Sequence, residues 1–290
     1  MSTSHPKPSL AVIFKYGREA LQNRRKDLFF ISIVFLVAPQ LVVFFAWGSA
    51  STQAVKALAT LENLSPRLQL EGVFNLISTK VILASLFAGG MGMIGILALA
   101  RSCVDYFESR PETFRNVVFR AVMVFFKKGI GCLLLIAMVF PTLVLLPLLR
   151  AVAMSMLVML PVTLVAGPSG GFKTGWDTLF LKYANQSASG RWPVFVTVLS
   201  VTGVFLTSLF GVSMLIELIG IADTLLELPA GLLATNLHLG GISINSGMAL
   251  SGFLGLLWEC FAIAVILPFT AAIYHLSTVP AGHVPFETAI

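Results

Sequence analysis

Six long apolar runs, separated by connections that hold nearly all of the charge, limit this chain more than any other feature. They occupy about residues 28–47, 81–100, 129–149, 151–166, 192–219 and 248–276. A helix needs roughly 20 apolar residues to cross the hydrocarbon core of a bilayer, a length that every run but the fourth approaches or exceeds. The chain is 57% hydrophobic and 11% charged, with a mean hydropathy of +0.92. Soluble domains carry about 25% charged residues. Too little polar surface therefore remains to cover a water-soluble fold of 290 residues. The pattern predicts an all-α, polytopic integral membrane bundle of six transmembrane helices, a single membrane domain over residues 1–290. Pro147 and Arg150 lie between the third and fourth runs, which read as a tight hairpin, fully transmembrane or partly re-entrant. The first run is too long for the apolar core of a cleavable signal and no small-x-small site closely follows it, so it reads as a retained span.

The basic residues fall unevenly around these runs. Lys7, Lys15, Arg18, Arg24, Arg25 and Lys26 precede the first, and Arg101, Arg110, Arg115, Arg120, Lys127 and Lys128 fill the second connection. With Lys173, Lys182 and Arg191 in the fourth connection, fifteen lie on one side. Lys56, Arg67, Lys80 and Arg150 are the four on the other. Cytoplasmic loops carry the excess of Lys and Arg, which predicts a multi-pass protein of the cytoplasmic (inner) membrane with both termini in the cytoplasm.

The segment GPSGGFKT, residues 167–174, tests for a nucleotide site. A phosphate loop needs Gly before its Lys and joins a strand to a helix. Here Phe172 precedes Lys173, and the preceding segment is a membrane run, so no nucleotide is expected. Phe172, Trp176, Leu179, Phe180 and Tyr183 instead recur at helical spacing. They predict an amphipathic helix over 170–184, with the aromatics as interfacial anchors and the lysines toward anionic headgroups. Two more such helices are predicted. One covers 9–22, with Leu10, Ile13, Phe14, Gly17 and Leu21 on its apolar face. The other covers 112–126, with Phe114, Val117, Val118, Ala121, Val122 and Phe125. Each begins near a proline (Pro8, Pro111, Pro168) and precedes a membrane hairpin, so the chain reads as three copies of one unit.

The order ETFRNVVFRAVMVFF, VFPTLVLLPLL, GFKTGWDTLFLKYAN and a last run ending AAIYHLS resembles a bacterial six-helix membrane family of uncharacterised function. Its relatives include the non-catalytic membrane domain of some glycerophosphodiester phosphodiesterases. Pro147, Trp176, Lys182 and Tyr274 stand where that pattern places such residues. Leu148 replaces its usual glycine, and His275 its usual polar partner of the tyrosine. The resemblance implies the six-helix fold and brings no catalytic residues with it. No phosphodiesterase domain lies in these 290 residues, so that activity is not implied.

Residues that could carry chemistry are few. Glu259 lies within the sixth run, with Ser251 and Gly255 at i−8 and i−4 on the same helix face. A charged residue at mid-membrane costs roughly 2.5–3.5 kcal/mol on insertion scales, so this face reads as a candidate intramembrane polar site. Two readings fit it, a cation or proton relay and a protonated packing group. Ala84, Ala88 and Gly92, and Gly203, Thr207 and Gly211, form small faces suited to close helix packing. The fifth connection, ending LATNLHLGG, reads as a short interfacial helix, and His275 as an interfacial anchor beside Tyr274. Cys103, Cys132 and Cys260 share no metal or disulfide spacing. No hydrolase motif and no aromatic-basic surface for nucleic acid is present. The chain reads as non-enzymatic, with no catalytic residues, cofactor or metal. Its expected partners are membrane lipids and other envelope proteins, and its expected role is to organise or assist envelope or lipid components. The alternative is a small-solute or lipid transporter using Glu259 in a mid-membrane cavity.

Overall fold

The computed structural model describes the backbone of residues 10–43, 46, 66–110, 112–131, 158–166, 215, 237–239, 242–244 and 246–278. It describes side chains over 11–43, 46, 81–110, 112–131, 158–166, 215, 255, 257–258 and 260–276. The described elements are helical apart from one short hairpin. Two compact units are formed, Met1–Ile31 with Met93–Thr207 and Ala262–Ile290, and Ser32–Gly92 with Ser208–Phe261.

Helix α1, Leu10–Asn23, buries Ile13, Gly17 and Ala20, which recur at i, i+4 and i+7. Part of the face expected to meet lipid thus meets protein. A β-carbon on Gly17 would run into the ring of Phe269, and Phe14 sets its own ring edge-on to Phe269 at 5.4 Å. The amide of Arg24 still donates to the carbonyl of Ala20 and that of Leu28 to Arg24, which carries the chain into α2, Arg25–Ile31. A π-helical turn, Ser32–Val37, follows. Pro39 comes two residues after it, and a proline both lacks an amide hydrogen and crowds the carbonyl four residues back.

Helix α3, Pro66–Phe107, has 42 residues and begins on a proline. It is about 63 Å long at 1.5 Å per residue, roughly twice the hydrocarbon thickness. The sequence reading confined this helix to 81–100; it extends fifteen residues before and seven beyond. From Leu97 to Asp105 every residue is buried, placing this stretch at the centre of the first unit. Ser109 ends the helix in the left-handed region, at φ 52°. Its amide donates to the carbonyl of Tyr106, and the amide of Arg110 to that of Asp105. Together these bonds are the Schellman pattern, in which glycine ordinarily takes the Ser109 position.

Helix α4, Phe114–Val124, continues as a π turn, Phe125–Gly129. Its buried residues are Val117, Ala121, Phe125 and Gly129, again a single face. A helix at 158–165, α5, and the long α6, Ser246–Thr278, share a local device. Each carries Leu-Pro-x-Thr, at 160–163 and 267–270. In both, the threonine hydroxyl donates to the carbonyl of the leucine, at 3.1 and 2.9 Å. Both threonines are fully buried, and the bond satisfies a hydroxyl that would otherwise be costly there.

In the second unit Leu237–Leu239, β1, pairs antiparallel with Ile242–Ile244, β2. Residues 237–239 are therefore extended where the sequence reading expected an interfacial helix. The intervening dipeptide in the sequence is Gly-Gly, a type that joins closely paired strands. The amphipathic segment 170–184 and the spans at 129–149 (beyond Gly131) and 192–219 (apart from Leu215) lie outside the described residues.

Two helices among the described residues, Arg25–Val43 and Val81–Phe107, are long and apolar enough to cross a membrane. Only 33% and 28% of their apolar windows are buried inside the protein, whereas the core helix of a soluble domain is mostly buried. Ile82, Leu83, Leu86 and Phe87 all face outward on the second.

Candidate functional site

The principal polar cluster in the interior of the first unit begins where the second apolar run stops. Arg101 follows Ala100 directly, and α3 stays buried for another turn, so the guanidinium cannot reach solvent freely. Its side chain is 9% exposed. One turn on, Asp105 is 1% exposed, and its Oδ1 lies 2.7 Å from Arg101 Nη2. The i, i+4 spacing sets the two side chains on one helix face. Arg101 Nη1 donates to the carbonyl of Val165 at 2.8 Å. That carbonyl belongs to the last turn of α5, where no intrahelical amide remains to meet it. A cation is the favourable partner there.

The tight turn after Ser109 brings in two further charges. Glu112 Oε1 lies 3.7 Å from Arg101 Nη2 and 2.6 Å from Arg120 Nη1 on α4. Arg120 is 54% exposed, so the chain of charges runs from the buried end of α3 to the surface. Two cations and two carboxylates balance. The cluster is nonetheless incompletely bonded among the described residues. Arg101 Nε, Asp105 Oδ2 and Glu112 Oε2 are buried without a hydrogen-bond partner, and the close Asp105 Oδ1 contact is an ion pair out of hydrogen-bond alignment. Such a cluster can hold three helix ends together. It offers no nucleophile paired with a base, and no group of three or more metal-ligating side chains occurs among the described residues.

Further contacts join the same region. Asn23 Nδ2 donates to the carbonyl of Glu19 at 2.9 Å and to the hydroxyl of Tyr106 at 3.0 Å, tying the end of α1 to α3. Phe30 meets Phe114 edge-on at 5.2 Å. His275 stacks on Phe107 with centroids 5.2 Å apart and planes at 21°, so it is a packing residue as well as a helix-end one. Tyr274 beside it is half-buried.

Ser251, Gly255 and Glu259 fall along one strip of α6 by spacing. The side chains of Ser251 and Glu259 lie outside those described. Gly255 is half-buried, and a β-carbon there meets nothing within 4 Å, so it marks no close helix contact among the described residues. The same holds for Gly92 in the small face of the second run. Phe172, Trp176, Phe180 and Tyr183 lie outside the described residues. The structure instead brings together Arg101, Asp105, Glu112 and Arg120; sequence reasoning weighed the two arginines only as orientation charge and gave the two carboxylates no role. One signal was present: an Arg at the end of an apolar run, with Asp four residues on and only Ser, Cys and Val between. That spacing marks a pair that stays on one face of a continuing helix.

Comparison with known protein families, with characterised proteins and with solved structures finds no match to this chain.

Proposed function

We propose that this chain is a non-enzymatic, six-span protein of the cytoplasmic (inner) membrane, with both termini in the cytoplasm, that organises or assists envelope or lipid components. The six-helix family resemblance points the same way. One observation carries the reading. The run ends assigned by charge to the cytoplasm include the start of the first, the end of the second, the approach to the third and the ends of the fourth and sixth. Described residues from all five fall in one compact unit. They touch through Asn23–Tyr106, Phe30–Phe114, Arg101–Val165 and Phe107–His275. A topology with these ends on opposite sides of a bilayer could not make those contacts. The polar cluster within the unit ties helices together, which fits an organising role.

The competing transporter reading rests on Glu259 and is separated by Glu259→Gln, since the amide keeps the hydrogen-bonding shape of a protonated acid. In a deletion strain, the Gln variant is expected to complement as the parent does. A variant that folds, inserts and fails to complement would overturn the organising role and make Glu259 a relay.

A further inference from the structure

The approach to the third span has two apolar faces rather than one. Val117, Ala121, Phe125 and Gly129 are buried in the protein. Phe119, Met123, Phe126 and Ile130, at i, i+4, i+7 and i+11, point away from it with exposures of 64%, 42%, 64% and 43%. These four form a second helical stripe that no described part of the protein covers. The charges carried by the helix itself are of one sign, with Glu112 just before it paired to Arg120. Residues 114–131 contain Arg115, Arg120, Lys127 and Lys128 and no carboxylate. By helical position Arg115 borders the stripe on one side, and Lys127 and Arg120 on the other. Arg115 and Lys127 are exposed and enter no ion pair among the described residues. In α2, Phe29 and Phe30 are likewise 58% and 54% exposed beside the exposed Arg25 and Lys26, and the one carboxylate of that helix, Asp27, pairs with Arg24. The Phe30–Phe114 contact makes the two helices neighbours.

We infer that this stripe is the seat of anionic phospholipid, its apolar side chains among the acyl chains and Arg115 and Lys127 on the headgroups. Aromatic and aliphatic side chains framed by unpaired cations suit an interface with anionic lipid. They suit a second copy of this chain poorly, because a symmetric contact would set the same cations against each other. The inference rests on the membrane reading above and adds the lipid class and the residues that select it.

The test uses the full chain with Met123→Cys and Cys132→Ser, carrying a fluorophore at position 123; Cys103 and Cys260 are buried. It is reconstituted in phosphatidylethanolamine vesicles containing phosphatidylglycerol or phosphatidylcholine, each bearing a nitroxide near the top of one acyl chain. At equal lipid fraction, phosphatidylglycerol is expected to associate with the site at least about fivefold more strongly, the worth of one basic residue at an anionic surface. Arg115→Gln with Lys127→Gln should remove most of that preference. Equal quenching by the two lipids, or a preference that survives the double change, would overturn the inference while leaving the membrane reading intact. Weak quenching by either lipid, with self-quenching that grows with protein density, would assign the stripe to a second copy. Extraction of the parent protein from membranes by alkaline carbonate would instead defeat the membrane reading itself.

Discussion

Gly17 lets α1 lie against α6, because a β-carbon at that position would collide with Phe269. Replacing glycine by alanine within a helix ordinarily stabilises by about 1 kcal/mol. Forcing a methyl group into a filled contact costs about 1–3 kcal/mol. Gly17→Ala should therefore lower thermal stability in detergent, and adding Phe269→Ala should recover part of the loss in a double-mutant cycle. A stabilised Gly17→Ala would contradict the close approach. Arg101 is the second residue on which the packing depends. Arg101→Met leaves Asp105 buried without its cation, a change that costs about 3–5 kcal/mol in comparable buried pairs. Removing both charges, as Arg101→Met with Asp105→Leu, should cost clearly less, and unfolding midpoints measure the difference. Both residues were visible in the sequence, but their roles were only partly legible. Helical period placed Gly17 on an apolar face; its partner lies near the other end of the chain, beyond the reach of any local pattern. Gly92, read as a packing residue by the same reasoning, meets nothing within 4 Å, so a glycine in an apolar run does not by itself mark a contact.

The helices themselves were legible because their apolar faces repeat at helical spacing, and α1 and α4 lie where that period placed amphipathic segments. Which face meets protein was not legible. Helix α4 is apolar on two sides, and hydropathy cannot rank one above the other; burial selects Val117 and Ala121 for the interior. The extent of α3 was missed for a different reason. Gln69, Glu71, Asn75 and Lys80 interrupt the apolar pattern, yet all are compatible with a helix that continues beyond the span. Its other end is set by Ser109, and here a test is direct. A left-handed residue other than glycine costs roughly 1–2 kcal/mol, against about 0.5–1 kcal/mol for the extra freedom glycine loses. Ser109→Gly should stabilise the protein by about 0.5 kcal/mol, seen as a small rise in the detergent unfolding midpoint. A fall would mean that the Schellman turn is not the native end of α3.

At the scale of the molecule, the proposed arrangement requires particular helix ends to share a side of the membrane. The sequence spoke to this only through the distribution of Lys and Arg, an argument that inverts for some spans if their number is odd. The contacts among α1, α2, α3, α4, α5 and the end of α6 supply an independent argument, because they need several of those ends at one level. In the proposed six-span topology, Ser109, exposed at the turn after α3, and Asn236, which precedes β1 in the sequence, lie on opposite sides. The most direct measurement is cysteine labelling of intact cells with a membrane-impermeant maleimide, using Ser109→Cys and Asn236→Cys in turn. Position 236 is expected to react in intact cells, and position 109 only after permeabilisation. Reaction at 109 from outside, or equal reaction at both, would contradict the six-span arrangement and the cytoplasmic placement of the clustered helix ends.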